Sequence, residues 1–167
     1  TRILGVPTPI QIQKKFELSH LPDFRALERT VQEIFIEQIY LVPDADGREL
    51  RIRRRSQDGA AMFFETLKTP LGGGKNLRTQ RVIDGKEYEV LALLKNPKKC
   101  VIQKRRFCFF YKNQYFRLDE FISPEKQYIL EIEATEEHDE IKLPPGFPVV
   151  KEVTCDPRYL NSSIAER

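Results

Sequence analysis

Along most of the chain apolar residues recur with a period of two. Ile10, Ile12, Phe16 and Leu18 alternate with Gln11, Gln13, Lys15 and Glu17, apart from a break at Lys14. Leu50 and Ile52 alternate with Arg51, Arg53 and Arg55. Further strands read at about 33–42, 60–69, 77–83, 99–112, 114–122 and 126–134, in segments rich in Ile, Val, Phe, Tyr and Thr. This gives about eight strands, and their short connections predict an antiparallel sheet. Pro43-Asp44-Ala45-Asp46-Gly47 reads as a hairpin turn, as do Ser56-Gln57-Asp58-Gly59 and Lys112-Asn113-Gln114. Helix is sparse. Asp23 caps a predicted helix through about Arg29, and Asp84 opens one through about Leu94. Asp156 followed by Pro157 starts a C-terminal helix.

Composition narrows the class. The chain has 167 residues, 40% of them hydrophobic, enough for one domain with a substantial core and too many for a disordered tail. No apolar run approaches a membrane span, and nothing resembles a signal peptide. Three cysteines without metal-ligand spacing (Cys100, Cys108 and Cys155) favour a reducing, cytoplasmic setting over a disulfide framework. Residues 1–9 have no initiator Met and are punctuated by proline. They read as a linker from a missing upstream domain, with the folded domain over 10–167.

The net charge of +3 conceals a split. Residues 1–117 carry a net +10 and residues 118–167 a net −7. The basic half owes its charge to strands. Arg51, Arg53 and Arg55 share one face, Thr66 and Lys68 another, Lys104 and Arg106 a third. Like charges on neighbouring strands repel, and an anion held between them would offset that repulsion. In the acidic half Glu131 and Glu133 flank Ile132, so both carboxylates point the same way on a strand. Such a pair repels on a solvated face or binds a divalent cation.

Other motifs carry less. Gly72-Gly73-Gly74-Lys75 is followed by Asn76 rather than Ser or Thr, so a hairpin is favoured over a phosphate loop. Asp44-Ala45-Asp46-Gly47 lacks the remaining ligands of a calcium loop. With two isolated histidines, His20 and His138, no nucleophilic triad is in view.

Taken in order, these strands resemble the CYTH domains, or triphosphate tunnel metalloenzymes. Gln11-Ile12-Gln13-Lys14-Lys15 matches the spacing of the family's Glu-x-Glu-x-Lys strand. Arg51-Ile52-Arg53, Thr66-Leu67-Lys68, Arg78-Thr79-Gln80, Lys104-Arg105-Arg106, Leu118-Asp119-Glu120-Phe121 and Glu131-Ile132-Glu133 resemble its later motifs. Thr154-Cys155-Asp156-Pro157-Arg158-Tyr159 resembles its ending. The resemblance implies a mainly β fold: an eight-stranded antiparallel closed barrel, with a few short helices outside covering its apolar exterior. Its lumen would take a triphosphate and a divalent metal. Lys15, Arg51, Arg53, Lys68, Arg78, Lys104 and Arg106 would bind phosphate, and Glu131, Glu133 and Asp119 would hold Mg or Mn. Arg2-Ile3-Leu4-Gly5-Val6-Pro7 is similar to the junction in proteins that fuse an N-terminal P-loop nucleotidase to a CYTH domain, the TRPL translocation defect protein group. That likeness implies a guanine nucleotide and a phosphoinositide as ligands, and with the latter peripheral contact with membranes.

The departures matter as much. Gln11, Gln13 and Gln80 stand where the family has Glu, so metal binding is expected to be weakened. The favoured reading is a domain that binds a nucleoside triphosphate, triphosphate or phosphoinositide, with catalysis impaired. An active Mg- or Mn-dependent triphosphatase is the alternative, with GTP and ATP among its possible ligands. A barrel that binds nucleic acid on a basic exterior is not favoured, because Phe107, Phe109 and Phe110 read as core.

Overall fold

The computed structural model describes residues 12–27, 30–72, 75–134 and 140–167. Nine strands form one antiparallel sheet: β1 (Ile12–Leu18), β2 (Gln32–Tyr40), β3 (Glu49–Gln57), β4 (Ala60–Gly72), β5 (Lys75–Ile83), β6 (Ile102–Tyr111), β7 (Gln114–Ser123), β8 (Gln127–Ala134) and β9 (Val149–Glu152). The order across the sheet is β5-β4-β3-β2-β6-β7-β8-β1-β9. The predicted eight are therefore present, and β9 is a ninth. It is four exposed residues paired to β1, too short for a period of two to register.

The turns follow from local chemistry. Asp58 and Gly59 both have positive φ between β3 and β4, and so do Lys112 and Asn113 between β6 and β7. This is the twist that a two-residue hairpin requires. The Asp44 side chain accepts from the backbone N–H of Asp46 and of Arg48, closing the turn before β3.

The strands alternate with polarity inverted relative to a common sandwich. On β6, Lys104, Arg106 and Cys108 face inward while Phe107 and Phe109 face outward into an apolar cluster with Phe116, Leu118, Leu130 and Ile132. Residues 21–27 and 141–147 cover that cluster, with Phe24 packed on Phe107 and Phe109. The helix predicted at Asp23 is a single 3-10 turn (Phe24–Ala26), capped by Asp23. The helix α1 (Gly85–Ala92) forms as expected, with the Asp84 carboxylate accepting from the Glu87 N–H at 2.8 Å. It lays Tyr88 on Ile39, Leu41, Ile52 and Ile83, outside β2 to β5.

The C-terminal helix differs from expectation in two ways. It is split into a 3-10 turn (Pro157–Tyr159) and α2 (Asn161–Ile164). In addition, α2 does not cover the exterior. Ile164 and Ala165 pack against Tyr40, Ile102, Phe121 and Ile129, which lie on the inward faces of their strands. Thus α2 stoppers one end of the curled sheet.

Candidate functional site

Residues from β1 to β8 line one cavity of about 250 Å³, so the sheet curls around it, although no ladder joins β5 to β1 or β9 among the described residues. Lys15 of β1, Arg51 of β3, Lys68 of β4, Arg78 of β5 and Arg106 of β6 all reach it. Period-two alternation is the cause, since it sets each of these side chains on the inward face of its own strand. Leu160, Asn161 and Ser162 floor the cavity at the α2 end. A second cavity of about 130 Å³ continues the lumen past Arg106 and holds Arg53 and Arg55 beside Ile34, Ile36 and Tyr115.

On β6 and β7 the cations are neutralised. Asp119, only 2% exposed, takes Lys104 Nζ at 2.8 Å and a two-pronged contact from Arg106, Nε at 2.7 Å and Nη2 at 2.9 Å. Burial alone would push the Asp119 carboxyl up, but the Lys104 and Arg106 charges outweigh it and hold it well below the usual carboxylate range. The same burial pushes the Lys104 ammonium down, against the pull of Asp119. Lys104 also donates to Asn161 Oδ1 at 3.4 Å and lies over the Phe121 ring. It does not line either cavity and stands behind Arg106 as a buried charge.

The lumen-facing cations on β3 to β5 have no carboxylate partner among the described residues, whereas Arg81, on the other face of β5, is paired with Glu65 and Glu87. Arg51, Arg53, Arg55, Lys68 and Arg78 form no ion pair there, although Arg53 lies over the Phe64 ring. Burial, then repulsion from Arg106, Arg51, Arg55 and Arg78, pushes the Arg53 guanidinium down to about 10. A cluster of cations without carboxylate partners around an open cavity suits an anion.

The acids of β8 are engaged. Glu131 meets Lys15 at 3.8 Å and Arg117 Nη2 at 3.2 Å, and Glu133 meets Arg117 Nη1 at 3.2 Å. Gln80 accepts from the Thr66 hydroxyl at 3.3 Å. Gln11, and the side chain of Gln13, lie outside the described residues.

No family model matches the chain. A protein of Acetivibrio thermocellus named inorganic triphosphatase is 30% identical over 158 residues, covering 93% of each chain. The chain belongs to the CYTH, or triphosphate tunnel, family. The solved structure of the inorganic triphosphatase NE1496 agrees, with 26% identity, a TM-score of 0.68 and 95% of each chain covered. Two further neighbours share the fold at lower identity. The Pyrococcus horikoshii protein PH1819 is 22% identical with a TM-score of 0.53, covering 79% of this chain and 82% of its own. A putative adenylate cyclase from Bacillus halodurans is 20% identical with a TM-score of 0.51, covering 77% and 82%.

Triphosphatases of the CYTH fold are generally metal-dependent, which makes the donor set of this CYTH domain informative. Among the described residues no three His, Cys, Asp or Glu side chains converge. Each candidate acid already faces a cation, Asp119 two of them and Glu131 two. The described acids therefore do not fit a divalent ion as they stand.

Three lumen residues escape a motif-based reading. Arg117 lies two residues before Asp119 and shares its face, a spacing that could have revealed it. Tyr40 and Glu49 also line the larger cavity. Tyr40, its hydroxyl accepting from Gln38 Nε2 at 2.8 Å, is pushed up mainly by burial.

Proposed function

We propose that this CYTH domain binds triphosphate, free or as part of a larger ligand, in its tunnel, and that hydrolysis is impaired. The observation carrying this is the set of cations on β3 to β5 that share one lumen without carboxylate partners among the described residues. Arg51, Arg53, Lys68 and Arg78 clamp the phosphates, and Arg106 and Lys15, already fixed by acids, contact them from the opposite wall. Each charge-assisted contact contributes roughly 1.5–3 kcal/mol. Lys104 acts from behind, keeping Asp119 and Arg106 in place. Impairment follows from Gln11, Gln13 and Gln80, which offer a carbonyl oxygen but no charge to a metal that must activate water. Glu131, Glu133 and Asp119, the remaining candidates for Mg or Mn, are each engaged by a cation and do not compensate for the lost charges. The nucleoside triphosphates GTP and ATP and a phosphoinositide headgroup present the same chemistry. Residues 2–7 support an upstream P-loop nucleotidase domain, and a phosphoinositide ligand would bring peripheral membrane contact.

Calorimetric titration with inorganic triphosphate, GTP, ATP and a soluble phosphoinositide tests this. Saturable binding of at least one is expected, with phosphate release under Mg²⁺ or Mn²⁺ near background. Absence of binding in folded protein would refute the binding reading. Rapid metal-dependent turnover abolished in Glu131→Ala would instead make the domain a working triphosphatase.

A further inference from the structure

Between the two carboxylates of β8 stands a side chain that no motif assigns. Arg117 directs Nη2 to Glu131 Oε2 and Nη1 to Glu133 Oε1, both at 3.2 Å, so one guanidinium spans the pair. The remaining donor, Nε, is buried and has no hydrogen-bond partner among the described residues. Arg117 is also common to the two cavities, and so stands beside the lumen where one passes into the other. Its position is fixed by register, because Arg117 lies directly opposite Glu131 across the β7–β8 ladder. The other oxygen of Glu131 faces Lys15 Nζ at 3.8 Å.

A divalent ion could use these carboxylates only by displacing that fork. Mg²⁺ needs oxygens at about 2.0–2.1 Å in near-octahedral array, and the guanidinium occupies the space between the two acids with two charge-assisted contacts. The tunnel also has little need of added positive charge. The walls of the two cavities carry eight cations (Lys15, Arg51, Arg53, Arg55, Lys68, Arg78, Arg106 and Arg117) against two carboxylates, Glu49 and Glu131.

We infer that Arg117 is a resident cation between Glu131 and Glu133, and that the tunnel takes its triphosphate without a divalent metal. This inference rests on the triphosphate-binding reading above. It makes Arg117 a binding residue with two effects: it contributes charge to the lumen and it denies the acids to metal. The guanidinium is covalently fixed, so the charge at this point does not depend on metal supply.

The test uses two measurements on the intact chain. One is calorimetric titration of triphosphate in EDTA and in Mn²⁺. The other is Mn²⁺ binding to protein alone, followed by loss of the free-ion electron paramagnetic resonance signal. Wild type is expected to bind triphosphate in EDTA and to retain no Mn²⁺ at submillimolar concentration. Arg117→Gln is expected to lose at least tenfold in triphosphate affinity in EDTA and to gain at least tenfold in Mn²⁺ affinity. Arg117→Lys, which keeps the charge, is expected to hold triphosphate in EDTA. Should Arg117→Gln fail to fold, the wild-type measurements and Arg117→Lys still decide. Wild-type binding of triphosphate only with Mn²⁺ would overturn the inference and leave the triphosphate-binding reading intact. An Arg117→Gln protein unchanged in both readouts would also overturn it. No wild-type binding under either condition would instead remove the triphosphate-binding reading itself.

Discussion

The two sides of the tunnel wall both carry cations but hold them in opposite ways. On β6, β7, β8 and β1 they are locked to acids, in the Lys104–Asp119–Arg106 triad and the Arg117–Glu131–Glu133 fork. On β3, β4 and β5 the lumen cations face one another without carboxylate relief among the described residues, and burial, with repulsion from its neighbours second, drives Arg53 down to about 10. The locked side fixes geometry and the open side leaves charge to be satisfied. A site divided this way binds an anion by completing the open side, with the locked side already in position.

The largest expected effect comes from breaking the locked side. Asp119→Asn leaves Lys104 and Arg106 buried without their counter-charge, and should cost roughly 3–5 kcal/mol of stability in urea unfolding. Its pH dependence has a definite sign. Because the folded carboxyl lies below its ordinary value, its contribution is present above the unfolded carboxylate range and fades as pH falls below it. The stability gap between wild type and Asp119→Asn should therefore narrow in acid, and a gap that widens would contradict the pairing.

Removing a cation from the open side should do the reverse. Arg53→Gln is expected to weaken triphosphate binding by about 10- to 100-fold while leaving the unliganded protein as stable as wild type or slightly more so. A large loss of stability with affinity preserved would erase the distinction between the two sides. The smallest effect is expected outside the lumen. Asp84→Ala removes the cap of α1, which packs behind the open side. It should cost about 1 kcal/mol in thermal unfolding and leave triphosphate affinity unchanged.

Much of this was legible because a strand's period is short and local. Arg51-Ile52-Arg53 and Lys104-Arg105-Arg106 could only place their outer cations on one face, and those faces turn inward. What lay beyond reach was set across strands. That Lys104 would be withdrawn from the lumen depends on Asp119 of β7 and Asn161 beyond β9 converging on its ammonium. No stretch of sequence around Lys104 contains either partner. Arg117 was within reach, two residues from Asp119, but its role depends on the register of β7 against β8. The seating of α2 was hidden for a related reason. Ile164 and Ala165 read as one face of a short helix whatever surface they meet, and only the curl of the sheet offers Tyr40 and Phe121 as that surface.

The order of strands has a consequence for how the molecule assembles. Strands β2 to β5 and strands β6 to β8 are each a meander of sequence neighbours, and the ladder between β2 and β6 joins them. Local hairpins close quickly, whereas a seam between distant segments waits on a costly loop closure. At this seam the closing step also brings Arg53 of one meander within repulsive range of Arg106 of the other. Formation of this seam therefore meets a charge conflict that simple anions can relieve. Refolding after dilution from urea should quicken with added sulfate more than with chloride at equal ionic strength, and Arg53→Gln should remove most of that difference. In this sense the ligand's charge is part of the folding pathway before it is part of any function.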